Sequence, residues 1–65
     1  MRILVNGVWR ESGATQLGAV LEELGYRGAV VSTAVNGEFV ATGARAHTPL
    51  ADGDRVEVVA PMQGG

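Results

Sequence analysis

The sequence predicts a small α+β domain in which one helix covers one face of a β-sheet. Three features favour this fold class. Asn-Gly dipeptides at 6–7 and 36–37 each stand between two short apolar runs, and this dipeptide is typical of two-residue hairpin turns. One stretch with helical spacing separates the two hairpins, and a last alternating apolar run follows residue 54. The 65 residues leave room for a single domain.

The first hairpin is predicted near the beginning of the chain. Its strands are Arg2–Asn6 and Val8–Glu11, and the Asn6-Gly7 pair supplies the positive φ angles that a type I′ turn needs. Trp9 is expected to pack at a sheet edge rather than to stack on a ligand.

An amphipathic helix is predicted from Gln16 to Leu24, with Thr15 as its N-cap and Gly25 at its left-handed C-terminal end. Its apolar residues recur at i, i+3, i+4 and i+7, which is one stripe of a helix. Gly18 costs the helix about 1 kcal/mol relative to alanine and is interpreted as a tolerated weak spot. The stripe consists of Leu17, Val20, Leu21 and Leu24.

The second half of the chain is predicted to add three more strands. These are Ala29–Val35, Glu38–Val40 and a last strand, Arg55–Ala60. Between them, Ala41–Ala46 shows no clear period and is predicted as a loop. Leu50 is expected in the core, and Asp52-Gly53-Asp54 is expected to form a turn.

Strand alternation predicts an exposed apolar patch. Leu4 and Val59 point away from the face that carries Ile3, Val5, Val56 and Val58. A single helix covers only one face of a sheet, so neighbouring first and last strands would leave Leu4 and Val59 exposed together. We therefore expect these two residues to belong to a docking surface for a partner protein.

Composition excludes several classes of function. The net charge of −2 and a pI near 5.1 give no support for binding to nucleic acid or to an anionic membrane. The chain has no cysteine, which excludes disulfides and thiolate metal sites. It also has no lysine, so no side-chain amine is present. The apolar run at the beginning of the chain is interrupted by Asn6-Gly7 and is too short for a signal peptide. A cytoplasmic location is therefore expected.

The last five residues are predicted to form a tail, which divides the chain into a domain at 1–60 and a flexible diglycine tail at 61–65. Pro61 lacks an N–H donor, so strand pairing is expected to end there. Gly64 and Gly65 have no Cβ and suit a narrow channel, and five extended residues reach about 17 Å. A frayed terminus is the alternative for a Gly-Gly end alone.

The residues for ordinary catalysis are scarce, and we predict that the chain is not an enzyme. His47 is the only histidine and cannot make a metal site alone. The serines and threonines have no positioned base. The group that we expect to take part in a reaction is the Gly65 carboxylate. A partner could convert it by adenylation into a reactive acyl group. We expect this chain to bind no cofactor or metal, so ATP and Mg²⁺ would be held by that partner.

The order of these elements resembles the ThiS family of sulfur carriers in thiamine biosynthesis. The resemblance spans the chain and is carried by the Asn6-Gly7 hairpin, the Thr15-led helix, the A-V-N-G-E segment at 34–38, the D-G-D-R-V-E-V-V segment at 52–59 and the terminal Gly64-Gly65. It implies a β-grasp, ubiquitin-like fold with a mixed sheet of four to five strands, in which the last strand lies parallel to the first.

The resemblance also implies a cycle of sulfur transfer. A ThiF-type enzyme adenylates Gly65, a sulfur donor system forms a thiocarboxylate there, and a ThiG-type thiazole synthase receives the sulfur. Gly64 and Gly65 would thread the partner's channel, while Leu4, Val59 and Met62 would help to dock the domain. Three alternatives stay open: the small subunit of molybdopterin synthase, a ubiquitin-like protein modifier, and a plain binding module.

Overall fold

The computed structural model describes residues 1–60 as one mixed sheet with a short α-helix on one side. In chain order the elements are β1 Arg2–Val5, β2 Val8–Glu11, α1 Leu17–Glu23, β3 Ser32–Val35, β4 Glu38–Val40, a 3-10 helix Thr42–His47 and β5 Arg55–Val59. The strand order is β2-β1-β5-β3-β4. β1 and β5 are parallel and the other described pairs are antiparallel. The predicted α+β fold with a mixed β-grasp sheet is confirmed.

The core lies between the inner face of the sheet and the apolar stripe of α1. Leu17 and Val20 are almost fully buried and Leu21 is buried as well, while Leu24 is partly buried against them. Leu50 is also buried, as predicted. Both the helical stripe and the inner strand residues therefore follow the periodicity of the sequence. The core residues are Ile3, Val5, Leu17, Val20, Leu21, Leu50, Val56 and Val58.

The two ends of α1 differ in how well the sequence predicts them. Thr15 is not the N-cap: Gln16 occupies that position without a side-chain cap, and the Thr15 carbonyl instead accepts a hydrogen bond from the N–H of Leu50 at 2.9 Å. Gly25 has a φ of 89°, as a left-handed C-terminal residue should. The N–H groups of Gly25 and Tyr26 bond back to the carbonyls of Glu22 and Leu21, which completes a Schellman end.

Three strands are shorter than predicted. β1 ends at Val5 because Asn6, with a φ of 48°, already belongs to the turn. β5 ends at Val59 rather than Ala60. Ser32 pairs with Val59, so residues 29–31 lie beyond the last pair between β3 and β5, and β3 begins three residues later than predicted.

Most of the segment predicted as the loop 41–46 belongs to the 3-10 helix Thr42–His47, which lies against α1. A Cβ on Gly18 would stand 3.4 Å from the N and Cα atoms of Ala46 and from the carbonyl carbon of Arg45. A methyl group at Gly18 would thus make ordinary van der Waals contact with the 3-10 helix, so the approach of the two helices does not require glycine, and the interpretation as a tolerated weak spot stands.

The turn before β5 is held by carboxylates, which confirms their predicted role. Asp52 accepts a hydrogen bond from the backbone N–H of Arg2 at 2.6 Å. Asp54 accepts one from the N–H of Ala51 at 2.8 Å, and Gly53 between them has a φ of 90°. These contacts tie the turn to β1 and set the start of β5.

Candidate functional site

The face of the sheet opposite α1, which we call the outer face, is left open by the helix. Because successive side chains of a strand alternate between faces, the pairing register decides which residues share it. Leu4 lies level with Trp9 and Arg55, Ala34 with Glu57 and Phe39, and Val59 with Ser32. The outer face consists of Arg2, Leu4, Trp9, Glu11, Ser32, Ala34, Phe39, Arg55, Glu57 and Val59.

Leu4 and Val59 share this face but do not form one patch, which corrects the predicted arrangement. Leu4 pairs in register with Arg55, and Val59 lies four residues further along β5. At about 3.3 Å per residue this separation is about 13 Å. Arg55 and Glu57 lie between the two, with their charged groups 3.9 Å apart. The outer face therefore has two apolar ends with an ion pair between them.

The first apolar end is formed by Trp9 and Leu4. Trp9 lies on an edge strand, as expected, and 49% of its surface is exposed. The guanidinium carbon of Arg2 stands 4.8 Å from the centre of the Trp9 ring, which is a cation–π contact. Arg2 thus contacts the Trp9 ring, while about half of the surface of Trp9 remains exposed.

The second apolar end lies beside the end of β5. Val59 forms this end and is 63% exposed. Phe39, on the edge strand β4, is 73% exposed but lies level with Glu57 and is separated from β5 by β3. Sequence analysis did not single out Phe39, because its face follows from the pairing of Ala34 with Phe39 rather than from any local pattern. This end of the outer face is the one from which the chain continues toward Gly65.

The predicted site residues of the tail lie outside the described residues. This applies to Met62, Gly64 and Gly65, so their roles stay predictions. Residues 1–60 do show where the chain leaves the sheet toward the tail. β5 lies between β1 and β3 and ends at Val59. The tail therefore starts from the centre of the sheet rather than from an edge.

Elsewhere in residues 1–60 the chemistry is sparse. His47 is exposed at the end of the 3-10 helix, and Asp52 and Asp54 are engaged in their turn. The described residues hold no group of three or more side chains able to bind a metal ion. In this same part of the chain, α1 and the 3-10 helix are both too short to cross a membrane.

Comparisons with known proteins agree on one family. The model of the ThiS family matches residues 3–65. The crystal structure of a thiamine biosynthesis protein (ThiS) from Geobacter metallireducens is 33% identical, with a TM-score of 0.84 and full coverage of both chains. An NMR structure of a thiamine biosynthesis protein from the same organism is 32% identical, with a TM-score of 0.79 over 100% of this chain and 88% of that one. A comparison with curated proteins gives no match. The chain belongs to the ThiS family.

Proposed function

We propose that this chain is a sulfur carrier of thiamine biosynthesis and that the carboxylate of Gly65 is the group that carries the sulfur. The observation that supports this most is the family match, which runs from residue 3 to residue 65 and so includes the diglycine. The two structural relatives are both described as thiamine biosynthesis proteins, which favours this pathway over molybdopterin synthesis.

The chemistry of the carrier starts from an unreactive group. A carboxylate is ionised at neutral pH and is a poor electrophile. When an oxygen of Gly65 attacks the α-phosphorus of ATP, pyrophosphate leaves and an acyl adenylate forms. A sulfur donor at the oxidation level of sulfide then attacks the acyl carbon, AMP leaves, and a thiocarboxylate remains. The chain contains no cysteine, so the sulfur is carried on the terminal carbonyl carbon rather than on a side chain.

The chain acts here as a co-substrate and not as a catalyst. A ThiF-type adenylating enzyme supplies the ATP and Mg²⁺ site, and a ThiG-type thiazole synthase accepts the sulfur. The domain at 1–60 is the part that these partners grip, and residues 61–65 are the arm that enters the reaction centre. Leu4, Val59 and Met62 contribute apolar contacts to docking, with Leu4 and Val59 at opposite ends of the outer face.

Intact-mass spectrometry tests this proposal directly. The full chain is incubated with a ThiF-type enzyme, ATP, Mg²⁺ and a sulfide source, and we expect exchange of one oxygen for one sulfur at the C-terminus. The chain lacking residues 61–65 is the control. It should keep its folded spectrum, because all seven helices and strands described lie within 1–60, but it should gain no sulfur.

Two results would contradict the proposal. One is an unchanged mass of the full chain when the enzyme is shown to adenylate another carrier. The other is sulfur found on the truncated chain. A third result, unfolding of the truncated chain, would overturn the division at residue 60 while leaving the chemistry at Gly65 in place. Gly65→Ala, which adds one methyl group, should leave the fold intact and slow adenylation if the channel is narrow.

A further inference from the structure

The side chain of Asn6 replaces a missing stretch of backbone pairing at the end of β5. The last backbone hydrogen bond from β1 to β5 runs from the N–H of Asn6 to the carbonyl of Val56 at 2.9 Å. The chain then turns away at Gly7, so Val58 has no β1 residue beside it. The Asn6 amide fills this place, because Nδ2 donates to the Val58 carbonyl at 3.0 Å and Oδ1 accepts from the Val58 N–H at 2.8 Å.

This double hydrogen bond satisfies both backbone polar groups of Val58 on the side that faces β1. On its other side, β5 is held by β3 through the pairs Thr33–Val58 and Ser32–Val59. Without the Asn6 amide, the end of β5 would therefore be fixed from one side only. The residues held in this way are the last ones of β5 before the chain continues toward Gly65.

A second asparagine offers a comparison within the same molecule. Asn36 also opens an Asn-Gly turn, with a φ of 50° against 48° for Asn6, and its Oδ1 accepts from the backbone N–H of Arg55 at 2.9 Å. Asn36 thus holds the beginning of β5 and Asn6 holds its end. Both residues open an Asn-Gly turn, and the Oδ1 of each accepts from a backbone N–H of β5. They differ in the second bond, because the Asn36 Nδ2 donates to the Asp54 carboxylate at 3.1 Å, and in their distance from the tail.

We propose that Asn6 is a positioning residue that fixes the direction in which the chain leaves β5 toward Gly65. This inference rests on the proposed function, because positioning matters only if a partner must capture the tail. If the backbone of Val58 is already fixed before the partner binds, less conformational entropy is lost on binding. Asn6 touches no reacting atom and acts through the backbone of Val58.

The test compares Asn6→Gly with Asn36→Gly. Glycine accepts a positive φ without strain, so each change removes the amide and keeps the turn. Adenylation is followed by ATP–pyrophosphate exchange with a ThiF-type enzyme at varied carrier concentration. For Asn6→Gly we expect KM for the carrier to rise about threefold to tenfold with kcat little changed. For Asn36→Gly we expect KM to change by less than about twofold.

A second variant and a second readout separate positioning from stability. Asn6→Asp keeps an acceptor for the Val58 N–H but places a carboxylate oxygen where Nδ2 donates to the Val58 carbonyl. Because two acceptors repel, its KM should rise at least as much as that of Asn6→Gly. The second readout is amide hydrogen exchange at Val59, the residue after Val58, which makes no hydrogen bond to Asn6 itself. If Asn6 fixes the end of β5, exchange at Val59 should be faster in Asn6→Gly than in Asn36→Gly.

Equal KM values for the two glycine variants would overturn the positioning role, whether both rise or both stay at the wild-type value. A chain that lacks Gly64 and Gly65 serves as a control that separates failure of the positioning role from failure of the carrier function. If that chain is inert while Asn6→Gly behaves as the wild type, only the positioning role fails. If that chain is still adenylated, the carrier function at Gly65 fails as well.

Discussion

At the scale of single residues, Arg45 connects the 3-10 helix to β3 and to the segment before it. Its Nε donates to the hydroxyl of Thr33 at 3.0 Å, and its Nη2 donates to the carbonyl of Val31 at 2.5 Å. Thr33 is almost fully buried, and its hydroxyl in turn donates to the carbonyl of Val40 at 2.8 Å. One guanidinium therefore satisfies a buried hydroxyl and ties three segments together.

We predict that Arg45→Ala lowers the free energy of unfolding by about 1–3 kcal/mol, because the buried Thr33 hydroxyl and the carbonyl of the half-buried Val31 lose their charged donor. Urea denaturation measures the change. Arg27→Ala is the matched control: its side chain is 86% exposed and its charged contact with Glu22 spans 3.8 Å, so a loss of less than about 1 kcal/mol is expected. If both variants lose the same free energy of unfolding, the hydrogen bonds of Arg45 stabilise the fold no more than an exposed arginine does.

The sequence predicted the residues that act locally and missed those that act at a distance. Gly25 and the turn at Asp52–Asp54 were predicted correctly because Gly25 and Asp54 make hydrogen bonds that close within three residues of the chain. The bond from the Arg2 N–H to Asp52, which spans 50 residues, was not predicted. Arg45 was not identified, since its partner Thr33 is 12 residues away and no pattern near Arg45 points to it. The side-chain role of Asn6 was missed for the same reason, because Val58 lies 52 residues away.

At the scale of elements, α1 faces the 3-10 helix at Gly18. A Cβ there would meet the Ala46 backbone at 3.4 Å, which leaves room for one methyl group and no more. We predict that Gly18→Ala is neutral or stabilises the fold by up to about 1 kcal/mol, through the better helix propensity of alanine. Gly18→Val should destabilise the fold by about 1–3 kcal/mol, because its branches would overlap the Ala46 backbone.

Thermal unfolding of the two Gly18 variants is compared with that of Ala19→Val. Ala19 is exposed on the same helix, so valine there changes only helix propensity, by a few tenths of a kcal/mol. A stability of Gly18→Val equal to that of Ala19→Val would show that the 3-10 helix moves aside without cost. A large loss in Gly18→Ala would show instead that the two helices tolerate no added atom.

The regular elements were predictable and the 3-10 helix was not. The strands and α1 have periods of two and 3.6 residues that the apolar pattern displays. A short 3-10 helix has poorer hydrogen-bond geometry and shows no such pattern across Thr42–His47. The 3-10 helix packs against α1. Because these contacts join residues that are distant in the sequence, no local sequence pattern predicts them.

At the scale of the whole molecule, the sheet order brings the end of β5 between β1 and β3 and leaves the outer face open beside it. Alternation alone predicted that Leu4 and Val59 share this face. It did not give the offset between β1 and β5, which depends on where the turn at Asp52–Asp54 meets Arg2. This offset separates the two residues and places Val59 at the end of the outer face nearest to the tail.

This arrangement predicts that a partner which captures the tail also covers Val59. Val59→Ser should leave thermal unfolding almost unchanged, because Val59 is 63% exposed. It should weaken binding to a ThiF-type enzyme about threefold to tenfold, as expected when an apolar contact at an interface is lost. Isothermal titration calorimetry measures the affinity. Val30→Ser is the control: Val30 is 80% exposed but lies outside the sheet, in the segment before β3, and its change should leave the affinity unaltered. If both variants bind as the wild type does, the partner grips the tail without the end of the outer face beside it, and Val59 has no part in docking.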